Sequence, residues 1–270
     1  MIHRRHALGL IAAATVMPAR AFANVAPQRN EIRESLAKRF TDDGTEGTFV
    51  GYKVEDYLII ASDAVRSGEP KLPASTFKIP NSLIALETGV VQDPDKDVFK
   101  WDGVVRPIEA WNRDHTMRSA IAVSAFPVYQ EIARRIGPER MQTFVDLFEY
   151  GNRNIGGGID QFWVRGDLRI DPMQQVDFLD RLRRGVLPVS KRSQELVRDI
   201  IPLTKLSNAT IRAKSGLTGS DRGSLGWMVG WADKGDTQTV FALNMDCKEP
   251  RHVADRVTLT QGCLSDIGAI

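Results

Sequence analysis

Ser75 and Lys78 stand three residues apart at the head of an apolar, helix-forming stretch, Ser75-Thr76-Phe77-Lys78-Ile79-Pro80-Asn81-Ser82-Leu83. At that spacing on a helix two side chains share one face, with Cβ atoms ~5–6 Å apart. A serine hydroxyl is a weak nucleophile until a base takes its proton, and a lysine whose charge is suppressed can be that base. Phe77, Ile79 and Leu83 make the surroundings apolar, and desolvation lowers a lysine pKa. Free N–H groups at a helix N-terminus would also face the oxyanion formed when a carbonyl is attacked. The pattern fits acyl transfer through a serine. An N-cap serine followed by a surface lysine is the plain alternative, because S-x-x-K alone is a common string. Pro80 predicts a distorted helix start, since it removes one helical hydrogen bond.

Further polar residues follow downstream. Ser124-Ala125-Phe126 lies in an apolar stretch and could bring a second hydroxyl to the same site. Tyr150-Gly151-Asn152 opens a glycine-rich loop. Lys214-Ser215-Gly216 ends a strand, where a lysine, a hydroxyl and a glycine N–H can face one groove. S-x-x-K, an intermediate serine and a late K-[ST]-G together form the signature of penicillin-recognising serine enzymes. Histidine chemistry has little to draw on, because only His115 and His252 lie beyond the leader. Cys247 and Cys263 are the only thiols; a disulfide and two buried apolar cysteines are both open. Two cysteines and two scattered histidines make no convincing zinc site, and no metal is expected.

The elements that must hold these residues are legible as patterns. Gly47 to Ala61 alternates and is rich in β-formers, which predicts two strands in a hairpin. Ser75 to Glu87 reads as a helix with Gly89 as its C-cap. Val128–Ile136, Met141–Phe148 and Met173–Leu182 carry apolar residues at three- and four-residue steps and read as helices. Strands return at Ile211–Ser215, Gly226–Ala232 and Thr237–Asn244, and a last helix runs Ala254–Ile267. Strand–helix segments at both ends of a helical block imply an α+β fold. Its expected form is a mostly antiparallel sheet flanked by terminal helices, with an inserted all-α domain. The sheet part would comprise about residues 24–75 and 195–270, and the helical part about 76–194.

Composition excludes other classes. Of 270 residues, 42% are hydrophobic and 26% charged, as in ordinary globular proteins rather than disordered or membrane-bundle chains. Residues 24–270 carry 33 basic and 34 acidic side chains, so neither nucleic acid nor an anionic membrane is an expected partner. Residues 1–23 read as a signal peptide: Arg4 and Arg5 begin it, Ala7 to Met17 is apolar, and Ala21-Phe22-Ala23 ends it. Cleavage after Ala23 would leave a periplasmic protein with no membrane anchor. Adjacent arginines also suit a twin-arginine route.

With these segments in place, the chain resembles the class D β-lactamases, the oxacillinases. Besides Ser75-Thr76-Phe77-Lys78, the resemblance rests on Ile79-Pro80-Asn81-Ser82-Leu83, Pro127-Val128-Tyr129-Gln130-Glu131 and Tyr150-Gly151-Asn152. It continues through Gly157-Gly158-Ile159-Asp160, Phe162-Trp163, Leu168-Arg169-Ile170 and Gly230-Trp231, and covers about Thr48 to the last helix. It implies the penicillin-recognising serine enzyme fold and β-lactam substrates. It makes Ser75 the nucleophile and Lys78 a base carboxylated on nitrogen by CO2, with no other cofactor. Trp163 would donate its indole N–H to that carbamate. Ser124 and Lys214 would relay a proton to the leaving ring nitrogen and help hold the substrate carboxylate. Ser215, Gly216 and Arg256 would line the binding site, with Arg251 a rival to Arg256. The N–H groups of Ser75 and Leu217 would form the oxyanion hole. Where the family usually has valine this chain has Phe126, beside the deacylating water, and Ser215 stands for the usual threonine. A β-lactam sensor and a D,D-peptidase that deacylate slowly are the alternatives, and monomer and homodimer are both open.

Overall fold

The computed structural model describes residues 28–219 and 223–270. The leader and its cleavage site lie outside these residues. Strands β1 (Arg29–Ile32), β2 (Gly47–Lys53), β3 (Leu58–Ala61), β4 (Leu203–Lys205), β5 (Thr210–Leu217), β6 (Ser224–Lys234) and β7 (Thr237–Cys247) form one sheet. Its order is β1-β3-β2-β7-β6-β5-β4. All neighbours run antiparallel except β1 and β3. The expected hairpin forms as β2 and β3, with Val50 opposite Ala61. The fold is α+β with a mostly antiparallel sheet, as the sequence patterns implied.

Each face of the sheet is covered because its central strands bury apolar residues on both sides. On one face lie α1 (Glu34–Asp42) and α8 (His252–Asp266). They bury Leu36, Phe40, Leu259 and Leu264 against Phe49, Phe241 and Leu243. The other face carries α2 (Lys78–Glu87), α3 (Met117–Ala122), α4 (Phe126–Ile136), α5 (Pro138–Leu147), α6 (Pro172–Arg184) and α7 (Lys191–Ile200). There Phe77, Leu83, Tyr129, Phe162, Trp163 and Trp227 share one core.

Differences from the sequence patterns have local causes. β1 and β4 are short edge strands of four and three residues, mostly exposed, so no alternation marks them. Pro80 breaks nothing. A 3₁₀ turn spans Ala74–Phe77 and α2 begins at Lys78, so Pro80 falls among the first residues of the α-helix, whose N–H groups have no helical partner.

Candidate active site

The 3₁₀ turn decides the geometry of the Ser75–Lys78 pair. Side chains at i and i+3 eclipse in that helix type, and Lys78 Nζ lies 2.7 Å from Ser75 Oγ. Ser75 therefore sits in the tight turn ahead of α2 rather than in its first α-helical turn. The chain enters that turn through Ala74, held at φ 50°, an uncommon region for a residue with a Cβ. A clamp holds it there: the Ala74 N–H donates to the Trp163 carbonyl at 2.8 Å, and Lys71 and Ile170 exchange two bonds of 2.9 Å. Loop 150–170 is thus fastened to the segment leading into Ser75. Phe77 fills the joint, packing on Tyr150, Phe162 and Trp163 at centroid distances of 5.6, 4.9 and 5.6 Å.

Lys78 is fully buried, and among the described residues no carboxylate pairs with it. Burial first, and then the positive charge of Lys214, push its pKa well below the ordinary lysine value. The rings of Tyr129 and Phe126, 5.3 and 5.8 Å from Nζ, each favour the ammonium, by about 2 kcal/mol or more when desolvated. Full desolvation of an unpaired charge works the other way, and the balance disfavours the ammonium relative to an ordinary lysine. Trp163 is also fully buried, and among the described residues its Nε1–H has no hydrogen-bond partner. An unsatisfied buried donor costs about 1–3 kcal/mol. Phe126 borders both groups, with its ring edge-on to Trp163 at 6.0 Å.

β5 brings the second set of residues. Gly216 allows the strand to close on the nucleophile turn: a Cβ there would lie 3.1 Å from the Pro73 carbonyl and 3.2 Å from Thr76. Lys214 is buried on this side, and its Nζ donates to the Ser215 carbonyl at 2.8 Å. Desolvation, followed by the charge of Arg256, lowers its pKa to about 7. The single groove expected for Lys214 and Ser215 divides, because adjacent strand residues point to opposite faces. Ser215 and Leu217 fall on the face of Ile211 and Ala213, towards α8. Arg256 rises from α8 to the same strand, donating to the Gly216 carbonyl through one terminal nitrogen. It is mostly buried, and no acidic side chain among the described residues pairs with it. Its rival Arg251 is engaged elsewhere, with Asp43, Glu249 and Asp255.

Other sequence candidates are placed as follows. Ser124 closes the turn between α3 and α4 at φ 56°; among the described residues no hydrogen bond joins it to Ser75, Lys78 or Lys214. Both histidines serve the fold: His115 bonds Ser119 and the Ala110 carbonyl, and His252 is buried against Asp43. Both cysteines are free and buried, and burial raises the Cys263 thiol to about 12. Tyr129 was not singled out from the sequence. Its hydroxyl lies 2.8 Å from Ser82 Oγ, which donates to the Lys78 carbonyl at 2.7 Å. The available signal was its i+3 spacing from Phe126, which places both rings on one face of α4.

Comparison with known proteins agrees with this geometry. The family described as the penicillin binding protein transpeptidase domain matches residues 42–259. The chain is 41% identical to β-lactamase OXA-5 of Pseudomonas aeruginosa over 88% of its length and 91% of that protein's. It is 40% identical to β-lactamase OXA-48 of Klebsiella pneumoniae over 96% and 95% of the two chains. Among solved structures, the class D β-lactamase FUS-1 (OXA-85) of Fusobacterium nucleatum superposes with a TM-score of 0.85 at 34% identity. That match covers 88% of this chain and 99% of the other. A serine paired with a fully buried lysine whose charge is disfavoured, on this fold and with relatives this similar over nearly their whole length, leaves one assignment: the chain belongs to the class D β-lactamases, a family of hydrolases.

Proposed function

We propose that the protein opens the ring of β-lactam antibiotics through an acyl-enzyme on Ser75. One observation carries the reading: a fully buried lysine, without an acidic partner among the described residues, lies 2.7 Å from the serine hydroxyl. A neutral amine there accepts the Ser75 proton as the oxygen attacks the lactam carbonyl. The oxyanion then meets the N–H groups of Ser75 and Leu217. Lys214, its pKa lowered to about 7 by burial and by Arg256, is poised to change charge near neutral pH. It can therefore pass a proton towards the ring nitrogen with Ser124. Arg256, without an acidic partner among the described residues, supplies the charge that a substrate carboxylate requires, with Ser215 on the same face of β5.

Lys78 is further proposed to be N-carboxylated by CO2. The residues fit the group: carboxylation needs a neutral amine, and Trp163 offers a buried, unpartnered donor. When present, the carbamate supplies an oxygen base for acylation and for the water that releases the product. Export is part of the same proposal, with the leader removed after Ala23 and the mature protein in the periplasm; among the described residues no helix is long and apolar enough to cross a membrane. Nitrocefin turnover by the mature protein, with and without bicarbonate, tests the reading. Absence of both turnover and a covalent adduct by intact mass would overturn it, and an adduct without turnover would favour a sensor-like protein.

A further inference from the structure

We infer that His252 is a positioning residue for Arg256: it sets the first turn of α8 so that the guanidinium stands ready for a substrate carboxylate. The inference rests on the carboxylate role proposed above for Arg256.

His252 is completely buried where β7 turns into α8. The residue at the helix N-cap, Arg251, makes no side-chain cap bond. His252 does related work from inside the helix: its Nδ1 accepts the N–H of Lys248 at 3.0 Å and that of Glu249 at 3.2 Å. Two donors aimed at Nδ1 require a lone pair there, so the ring proton is on Nε2. Nε2–H faces the Asp43 carbonyl at 3.2 Å, just beyond the end of α1. One imidazole therefore ties the turn before α8 to the end of α1. Asp43, His252 and Asp255 also bring three ligand atoms within 4.8 Å of one another. A cation is nonetheless disfavoured, because Nε2 carries a proton and Arg251 already bridges Asp43 and Asp255.

The effect reaches Arg256 in one step. Val253, next to His252, offers its carbonyl to Arg256 Nε at 2.8 Å. The other end of the guanidinium is held by the Gly216 carbonyl. The arginine stem crosses Gly226, where a Cβ would come within 2.5 Å of Arg256 Cδ. The Nε bond belongs to the first turn of α8, and His252 fixes that turn. A change at His252 should therefore alter carboxylate binding and spare the acyl chemistry at Ser75.

The test is steady-state kinetics of the mature protein with a penicillin and with its methyl ester, which lacks the anion. His252→Gln removes the acceptor at Nδ1 and should raise KM for the acid about fivefold, the value of a lost helix cap. Its kcat, and KM for the ester, should stay unchanged. His252→Asn places an amide oxygen where Nδ1 stood and should restore KM. Equal KM for the two variants, or a parallel fall of kcat on acid and ester, would overturn the inference. Arg256→Ala in the same series separates the two claims. If it raises KM while both His252 variants leave it unchanged, the positioning role alone fails; if it leaves KM unchanged, the carboxylate reading fails.

Discussion

Phe126→Val asks whether the ring beside Lys78 limits release of the acyl-enzyme. Phe126 opens α4, with its ring 5.8 Å from Lys78 Nζ and 6.0 Å from the Trp163 ring. A water attacking the Ser75 ester must stand beside the group that activates it, and the ring occupies that side of the amine. Valine withdraws the outer part of the ring and frees room for about one water, ~30 Å³. A misplacement of ~1 Å can cost a hundredfold in rate, so deacylation should accelerate by about ten- to a hundredfold. The stability cost is the edge-on contact with Trp163, about 0.5–1.5 kcal/mol, plus part of the burial of a half-exposed ring. That amounts to a few degrees in Tm at this chain length. Stopped-flow nitrocefin hydrolysis should show a pronounced burst in the wild type and a smaller burst with a faster steady state in the variant. Intact mass should show less acyl-enzyme at steady state. An unchanged deacylation rate in a folded F126V protein would refute the crowding argument and leave Phe126 as packing alone.

Ser75→Ala should retain the wild-type fold and form no covalent adduct with penicillin by intact mass; an adduct on the variant would remove Ser75 as nucleophile. Trp163→Phe keeps an aromatic ring against Phe77 and Phe126 while deleting the Nε1 donor. Its turnover should depend steeply on added bicarbonate, and full rate in CO2-depleted buffer would show that Lys78 does not work as a carbamate. Lys214 has a folded-state pKa lowered to about 7 from 10.5. Between those values the unfolded chain binds more protons, so folding stability should rise as pH increases from about 7 towards 10. Lys214→Met should reduce that rise in urea melts at successive pH values, leaving the share contributed by Lys78, and lose activity, whereas an unchanged slope would show that Lys214 contributes none of it.

The chemistry-bearing pair, the hairpin and the helical block were legible from sequence because each is a local pattern. Ser75 and Lys78 are three residues apart, β2 and β3 alternate over a short loop, and Val128 to Ile136 repeats at helical steps. The order of motifs from Ser75 to Arg256 was enough to point to the family, since spacing along a chain survives in the sequence itself. What no local pattern contains is which distant segments share a wall of the site. That Lys78 has no acidic partner among the described residues depends on every element packed around it, and the lowering of its pKa follows only from that arrangement. The clamp between Ala74 and Trp163 spans nearly ninety residues, and the approach of Gly216 to Pro73 requires the whole sheet. The pairing of His252 with Asp43, more than two hundred residues apart, likewise exists only once α1 and α8 pack on one face. Spacing selects residue types within one turn or one strand; burial, charge coupling and unpartnered donors are sums over the folded surroundings, and the tertiary structure alone decides them.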